Sequence, residues 1–216
     1  MKVKICGIRN SSELSMAINA GADAVGFITD VPVDSPRKIT LSEASLLISK
    51  VPVFVTTVLV IMPENAHEAV RMIQAARPAA VQIHNALPLS ELRKIRGTGV
   101  KLIKTIPVSQ DAQADTLINQ IKELSGIADA VLLDTARDGK TGGTGIPHNW
   151  EISSKVVMNT GIPVILAGGL KPETVLGAVK RVRPYAVDTA SGVETDGKKD
   201  EKKVMDFINN ARMHET

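Results

Sequence analysis

The sequence contains one cysteine and very few aromatic residues, and both scarcities exclude classes of protein. Cys6 has no second cysteine to pair with, so it is either a small buried hydrophobe or a reactive thiol. Aromatic side chains make up 2% of the 216 residues, which leaves few platforms on which the bases of single-stranded nucleic acid could stack. We therefore expect no nucleic-acid partner.

Long apolar runs and metal-ligand patterns are also absent. No run approaches the roughly 20 residues of a membrane-spanning helix, and the N-terminal MKVKICGIRN is too short and too polar for a signal peptide. The run GKKDEKK holds much of the excess positive charge and is typical of a solvated helix face. The histidines have no paired ligand spacing; they are His67, His84, His148 and His214. We expect a cytoplasmic protein with no membrane partner and no metal.

Short runs rich in Val, Ile and Ala alternate with segments of helical spacing along the whole chain. The helical segments repeat apolar residues at intervals of three and four, as in Ala114, Leu117, Ile118 and Ile121. Strands are predicted at about 2–6, 23–28, 53–60, 79–83, 100–105, 129–133, 162–167 and 185–189. This order predicts eight strand-helix units.

Several predicted strands, such as VFVTTVLVI, are apolar without interruption, which is typical of parallel strands covered on both faces. Eight such units without a linker predict an α/β fold, a single-domain (β/α)8 TIM barrel that spans residues 1–216. The alternative is an open doubly wound sheet. That fold usually has fewer strands and a glycine-rich turn after the first strand, where this chain has Cys6-Gly7-Ile8.

Two glycine-containing loops follow the last two predicted strands, where such barrels often bind phosphate. Gly168-Gly169 follows the seventh strand, and Ser191-Gly192 follows the eighth. Glycine lets backbone N–H groups approach an anion closely. The alternative is that these glycines only make tight turns.

Strand alternation predicts which side chains enter the barrel. Lys4 and Cys6 share one face of the first strand, and Asp188 occupies a matching position on the eighth, which becomes its neighbour on closure. Because an isolated buried charge is costly, we expect Lys4 to pair with Asp188 below Cys6. Taken alone, Cys6 is more typical of an inert core thiol.

Other polar residues stand at the ends of the fourth and sixth strands. Gln82 and His84 share a face of the fourth, and Asp134 begins a polar turn with four glycines that extends to Gly145. The turn predicts a flap over the barrel mouth, although GKTGGTG does not match a nucleotide-binding P-loop. His84 could instead be a satisfied histidine at a strand end, and Asp134 could only start the turn. A thiol and a carboxylate at one mouth suit acid/base chemistry on a phosphorylated small molecule.

Motifs along residues 2–202 resemble those of the phosphoribosylanthranilate isomerase family. They are Lys4-Ile5-Cys6-Gly7-Ile8, Ser35-Pro36-Arg37, Gln82-Ile83-His84, Leu132-Leu133-Asp134, Gly142-Gly143-Thr144-Gly145, Leu166-Ala167-Gly168-Gly169-Leu170 and Ser191-Gly192-Val193-Glu194. The chain departs from the family pattern at His148-Asn149, where Phe-Asp usually precedes the tryptophan.

The resemblance implies a cofactor-free Amadori rearrangement of N-(5-phosphoribosyl)anthranilate in tryptophan biosynthesis. Asp134 would protonate the ring oxygen, Cys6 would remove the C2′ proton, and Arg37 would hold the anthranilate carboxylate. The implied sites are catalytic Cys6 and Asp134, substrate-binding Arg37, Gln82, His84 and Asp188, and phosphate-binding Gly143, Gly168, Gly169, Ser191 and Gly192.

Alternative functions are the histidine-pathway isomerase, a dual-substrate enzyme and a non-catalytic barrel that binds a phosphorylated ligand. The histidine-pathway isomerase is characterised by a pair of aspartates, one of them at the first-strand position where this chain has Cys6. The sequence is compatible with a monomer or a homodimer.

Overall fold

The computed structural model describes residues 1–137, 140–141 and 148–213. Within these residues, eight strands form the barrel: β1 Lys2–Cys6, β2 Ala24–Thr29, β3 Thr56–Ile61, β4 Ala80–Ile83, β5 Lys101–Val108, β6 Ala130–Arg137, β7 Val164–Leu166 and β8 Ala186–Thr189. The helices are α1 Ser11–Asn19, α2 Leu41–Ile48, α3 Ala66–Ala76, α4 Leu89–Arg96, α5 Ala114–Glu123, α6 Trp150–Asn159, α7 Pro172–Val182 and α8 Glu201–Arg212.

The barrel closes where the first strand pairs in parallel with both the second and the eighth. Lys4 lies opposite Asp188 across the β1–β8 pairing and opposite Ala24 across the β1–β2 pairing. The remaining strands pair in parallel in chain order from β2 to β8. The predicted (β/α)8 barrel is therefore confirmed. The open sheet is wrong, because such a sheet has two unpaired edge strands, whereas β1 pairs on both sides.

Short elements decorate this frame. Lys38–Ile39 adds to the end of β2, and Lys140–Thr141 pairs antiparallel with the end of β6. Between β8 and α8, a 3₁₀ turn at Ser191–Val193 precedes a hairpin of Glu194–Thr195 and Lys198–Lys199.

Three strand boundaries lie three or four residues from the predicted ones. One is the end of the fifth strand, which lies at Val108 rather than at 105. The third strand begins at Thr56 rather than at 53, because Pro52–Val55 forms a turn closed by the Val55 N–H and the Pro52 carbonyl, 3.1 Å apart. The sixth strand continues through Asp134 to Arg137, because Asp134 and Thr135 pair with Pro107 and Val108 of β5. Asp134 is thus held in the sheet rather than in a turn.

Apolar side chains form two cores that the strand pleat separates. The larger core lies between the strands and the helices and includes Phe27 and Phe207, neither of which is exposed. The smaller core fills the barrel interior with Cys6, Val58, Val60, Ala80, Ile103, Leu132, Ile165, Ala167 and Ala186. Because these residues are mostly small or β-branched, polar side chains have room at the top of the barrel.

Side-chain caps fix where several helices begin, and so fix the loops at the barrel mouth. Asn65 caps α3 and Asp200 caps α8, each by accepting a backbone N–H of the first turn. Thr40 and Glu43 form a reciprocal capping box on α2. No helix among the described residues is long and apolar enough to cross a membrane.

The buried ring of Phe207 provides a test of the helix-barrel core. We expect Phe207→Ala to lower the free energy of unfolding by about 3–5 kcal/mol, because the cavity it leaves cannot fully collapse. Met205 lies on the same helix and is 45% exposed, so Met205→Ala should change that free energy by less than about 0.5 kcal/mol. Urea unfolding of both variants makes the comparison, and equal losses would contradict the packing described here.

Candidate active site

A cavity of about 620 Å³ opens at the carboxyl ends of the barrel strands. Nine of the residues predicted from the sequence line it: Cys6, Arg37, Gln82, His84, Asp134, Gly168, Gly169, Asp188 and Ser191. A second cavity, of about 280 Å³, lies beside α5 and α6 and contains none of them. Gly143 lies outside the described residues. The part of the chain that is described holds no group of three or more His, Cys, Asp or Glu side chains placed for a metal ion.

The predicted ion pair between Lys4 and Asp188 is confirmed. The Lys4 Nζ lies 3.0 Å from the Asp188 Oδ1, and the two side chains are 4% and 10% exposed. Burial alone would lower the pKa of Lys4, but the Asp188 carboxylate beside it raises that pKa above its usual range. Lys4 therefore stays charged inside the barrel.

Cys6 lies at the top of β1, next to this pair, and its thiol is buried. Burial raises the pKa of the Cys6 thiol, while the ammonium groups of Lys4 and Lys199 act in the opposite direction. Gly26 of β2 leaves room for the thiol, because a Cβ at that position would lie 2.7 Å from the Cys6 Sγ. The chain thus encloses one thiol among cations at the mouth of the barrel.

Asp134 faces the same cavity from β6. Burial and the nearby negative charge of Asp188 raise the pKa of the Asp134 carboxyl to about 7, although the Thr135 N–H and Lys4 oppose the shift. A carboxyl with this pKa is substantially protonated near neutrality and can donate a proton.

Arg37 reaches the cavity but is already paired. Its Nε donates to the Glu194 Oε1 at 2.8 Å, and its Nη2 donates to Oε2 at 2.6 Å. The arginine stem packs over Gly7, where a Cβ would lie 2.7 Å from the Arg37 Cδ. One edge of the guanidinium is therefore occupied by a carboxylate of the chain itself.

Sequence reasoning missed the partners of Arg37. Glu194 stood in a recognised motif without a role, and Lys199 stood in GKKDEKK, which was expected to be a solvated helix face. That expectation is wrong for Lys199, because its side chain is 1% exposed and its Nζ contacts the Glu194 Oε1 at 2.8 Å. The hairpin before α8 turns this single lysine inward while its neighbour Lys198 stays exposed.

Gln82 and His84 enter the cavity from the end of β4, as predicted. The Gln82 Nε2 donates to the Thr105 Oγ1 at 3.1 Å. Its Oε1 is buried and has no hydrogen-bond partner among the described residues. A buried acceptor without a donor is rare in native structures, so Gln82 is a candidate contact for a ligand hydroxyl or N–H group.

The loops after β7 and β8 lie against each other at the mouth. Gly168 has a φ of +84°, and a Cβ there would lie 2.2 Å from the Thr135 Oγ1. A Cβ at Gly192 would lie 1.9 Å from the Leu170 carbonyl oxygen. Both glycines are therefore required by packing, and Gly192 itself does not line the cavity. The loops do lie side by side where the sequence predicted a phosphate site.

His148, which departs from the family pattern, ties α6 to β6. Its Nδ1 lies 3.0 Å from the Thr135 Oγ1, and its Nε2 lies 2.5 Å from the Ser153 Oγ. Burial lowers the pKa of His148 to about 4, so the ring is neutral near pH 7. A polar network thus occupies the place where the family pattern has a phenylalanine.

Comparison with known proteins identifies relatives across nearly the whole chain. The sequence model of the N-(5′-phosphoribosyl)anthranilate (PRA) isomerase family matches residues 3–210. The N-(5′-phosphoribosyl)anthranilate isomerase of Methanosarcina acetivorans is 51% identical over 98% of this chain and 93% of its own.

Solved structures give the same relationship. A phosphoribosyl anthranilate isomerase in complex with reduced 1-(o-carboxyphenylamino)-1-deoxyribulose 5-phosphate has a TM-score of 0.82 and 32% identity, with 98% of each chain covered. Monomers generated from the dimeric enzyme of Thermotoga maritima have a TM-score of 0.82 and 31% identity, again over 98% of each chain.

The raised pKa of Asp134 predicts a pH-dependent stability. Between the ordinary value of 3.8 and about 7, the folded chain keeps a proton that the unfolded chain has lost. The resulting stability is fully present below pH 3.8 and is lost as the pH rises through about 7. Asp134→Asn cannot ionise and does not lose this stability. The difference in free energy of unfolding between the variant and the wild type should therefore shift by roughly 2 kcal/mol in favour of the variant between pH 5 and pH 8.

Urea unfolding at both pH values measures this gain. Asp115→Asn, at an exposed aspartate of α5, is the control and should follow the wild type. A constant difference between Asp134→Asn and the wild type would show that the carboxyl is not perturbed.

Proposed function

The chain belongs to the N-(5′-phosphoribosyl)anthranilate isomerase family, and we propose that it converts N-(5-phosphoribosyl)anthranilate to 1-(2-carboxyphenylamino)-1-deoxyribulose 5-phosphate in tryptophan biosynthesis. The observation that carries this proposal is the pairing of a buried thiol, Cys6, and a buried carboxyl, Asp134, on the wall of one cavity. Its volume of about 620 Å³ suits a ligand of this size.

In the first step, Asp134 acts as the general acid and protonates the furanose ring oxygen. The C1′–O bond then breaks, and the anilino nitrogen becomes an iminium. Burial of Asp134 and the negative charge of Asp188 favour this step, because together they hold the pKa of Asp134 near neutrality. Loss of the proton leaves a carboxylate that Lys4 stabilises.

In the second step, the Cys6 thiolate removes the C2′ proton, and the resulting enol tautomerises to the ketose. Burial raises the pKa of the Cys6 thiol, so the form with a neutral Asp134 and an ionised Cys6 is a minority of the free enzyme. The positive iminium formed in the first step lowers the cost of ionising the thiol at the moment when the base is needed. Lys4 and Lys199 act in the same direction.

The remaining cavity residues bind the two ends of the substrate. The Nη1 of Arg37 has no partner among the described residues and can donate to the anthranilate carboxylate together with Nη2. Gln82 accepts from a substrate hydroxyl or N–H, and His84 borders the same space. Gly168, Gly169 and Ser191 are the proposed phosphate subsite, and Gly192 supports it by packing against Leu170 rather than by lining the cavity. Gly143, which the sequence also predicts to bind phosphate, lies outside the described residues.

A barrel that binds the phosphorylated compound without turnover is the alternative from another class. It would not need a carboxyl with a pKa of about 7 beside a buried thiol. The histidine-pathway isomerase is disfavoured because Cys6 occupies the strand position where that family has an aspartate. Turnover of substrate formed in situ from anthranilate and ribose 5-phosphate separates these functions.

Two substitutions test the chemistry. We expect Cys6→Ala and Asp134→Asn each to lower kcat by roughly 10²–10⁴, since each removes a general acid or base. Loss of the fluorescence of the anthranilate conjugate reports the rate, and circular dichroism reports the fold. Asp115→Asn is the matched control and should retain the wild-type rate. Near-normal turnover in either active-site variant would remove that residue from the mechanism.

We also propose that the chain forms a homodimer through the amino-terminal end of the barrel. Val53 and Phe54, two adjacent residues in the turn before β3, are 93% and 97% exposed, more than the other large apolar side chains of the described residues. Apolar groups this exposed are typical of an interface. The dimeric relative from Thermotoga maritima supports a second copy as the partner, and this end lies opposite the cavity.

A polar substitution at this turn should therefore produce monomers. We expect Phe54→Ser to halve the mass measured by light scattering after size-exclusion chromatography, with kcat little changed. Leu46→Ser, at an exposed apolar residue of α2, should keep the wild-type mass. A wild type that is monomeric at micromolar concentration would contradict the interface.

A further inference from the structure

Lys199 is a buried cation that the proposed chemistry uses only as one of two charges that act to lower the pKa of Cys6. It lies in the short strand Lys198–Lys199 between β8 and α8, and its side chain is 1% exposed. Because burying an ammonium group is costly unless it is paired, its contacts identify what the fold gains from it. Those contacts lead to the cavity from two directions.

The first contact leads to Arg37. The Lys199 Nζ donates to the Glu194 Oε1 at 2.8 Å, and the same carboxylate accepts both hydrogen bonds from Arg37. Glu194 is 5% exposed at its side chain and Arg37 is 16% exposed, so water screens this chain of charges weakly. Lys199 therefore fixes the carboxylate that fixes the guanidinium.

The second contact leads to the loop after β8. The Lys199 Nζ also donates to the Ala190 carbonyl oxygen at 2.8 Å. Ala190 lines the cavity and directly precedes Ser191. One ammonium group thus connects the loop after β8 with the carboxylate that binds Arg37.

We propose that Lys199 is a positioning residue that, through Glu194, makes the Arg37 end of the cavity selective for a ligand with a carboxylate group. The inference deepens the proposed function and rests on it. It assigns a role to a residue that touches neither the substrate nor the reacting atoms.

Charge counting supports the proposal. Lys199 and Arg37 are two cations that share one anion, Glu194, so the cluster keeps one net positive charge. Without Lys199 the cluster would be neutral, and the Glu194 carboxylate would repel an incoming carboxylate that Arg37 attracts. The binding of a neutral ligand group at the same place would not be affected by the loss of this positive charge.

Geometry supports it as well. Glu194 takes the Nε and Nη2 donors on one edge of the guanidinium, so the end that carries Nη1 remains for a ligand. Gly7 lies against the stem of Arg37, with a φ of +75° and no space for a Cβ. The arginine is therefore held from both sides, as a planar two-point contact with a carboxylate requires.

The test compares two ligands at equilibrium, without turnover. The first is reduced 1-(2-carboxyphenylamino)-1-deoxyribulose 5-phosphate, and the second is the same compound without its carboxyl group. We expect Lys199→Met to raise the Kd of the first by about tenfold or more, as for the loss of one charged contact. The Kd of the second should change by less than about twofold.

Matched variants separate charge from folding. Lys199→Gln replaces the ammonium group by a neutral amide that still carries N–H donors, so it should show the same selective loss even if Lys199→Met folds poorly. Lys199→Arg should restore most of the affinity, and Lys198→Met, at the exposed neighbour, should change neither Kd. Isothermal titration calorimetry measures all of these values.

Two results would overturn the inference, and a third is distinct from both. An equal loss of affinity for the two ligands would reduce Lys199 to a structural ion pair. An unchanged Kd for the carboxylated ligand in Lys199→Gln would remove its role entirely. A wild type that binds neither ligand would instead refute the proposed function, and the inference with it.

Discussion

The ion pair between Lys4 and Asp188 is the interaction on which the site depends. It spans the seam where β1 and β8 close the barrel, and both of its charges act on the thiol of Cys6 and on the carboxyl of Asp134. Asp188 raises the pKa of both groups and Lys4 lowers the pKa of both. Because removal of one partner would leave a buried charge without compensation, closure of the barrel and tuning of the site share a single contact.

A second cluster of paired charges lies at the edge of the cavity. Arg37, Glu194 and Lys199 come from loops at opposite ends of the chain, and they meet above β1 and β8. Lys199 also lowers the pKa of Cys6, so the inner pair and the outer cluster act on the same thiol. The electrostatic environment of the cavity is therefore set by a few buried charges rather than by a broad charged surface.

The barrel and its interior could be predicted from the sequence because both follow from the periodic spacing of apolar and polar residues. Alternating apolar runs located the strands, and the two-residue repeat placed Lys4 opposite Asp188 once closure was assumed. The burial of Lys199 has no such period, since it depends on a two-residue strand in a loop hairpin. The extension of β6 through Asp134 likewise depends on pairing with Pro107 of β5, which local propensity does not contain. The predicted phosphate contacts and catalytic roles stay predictions.

The contacts between Gly168 and Thr135 and between Gly192 and Leu170 have a consequence for evolution and engineering. Barrels of this kind are often treated as scaffolds whose loops can be exchanged one at a time. Here the ends of β6, β7 and β8 touch with no room for a methyl group, so a new side chain in one loop must be accommodated by its neighbour. Substitutions at this rim should show strong epistasis, and the three loops should be inherited, or transplanted, as a unit.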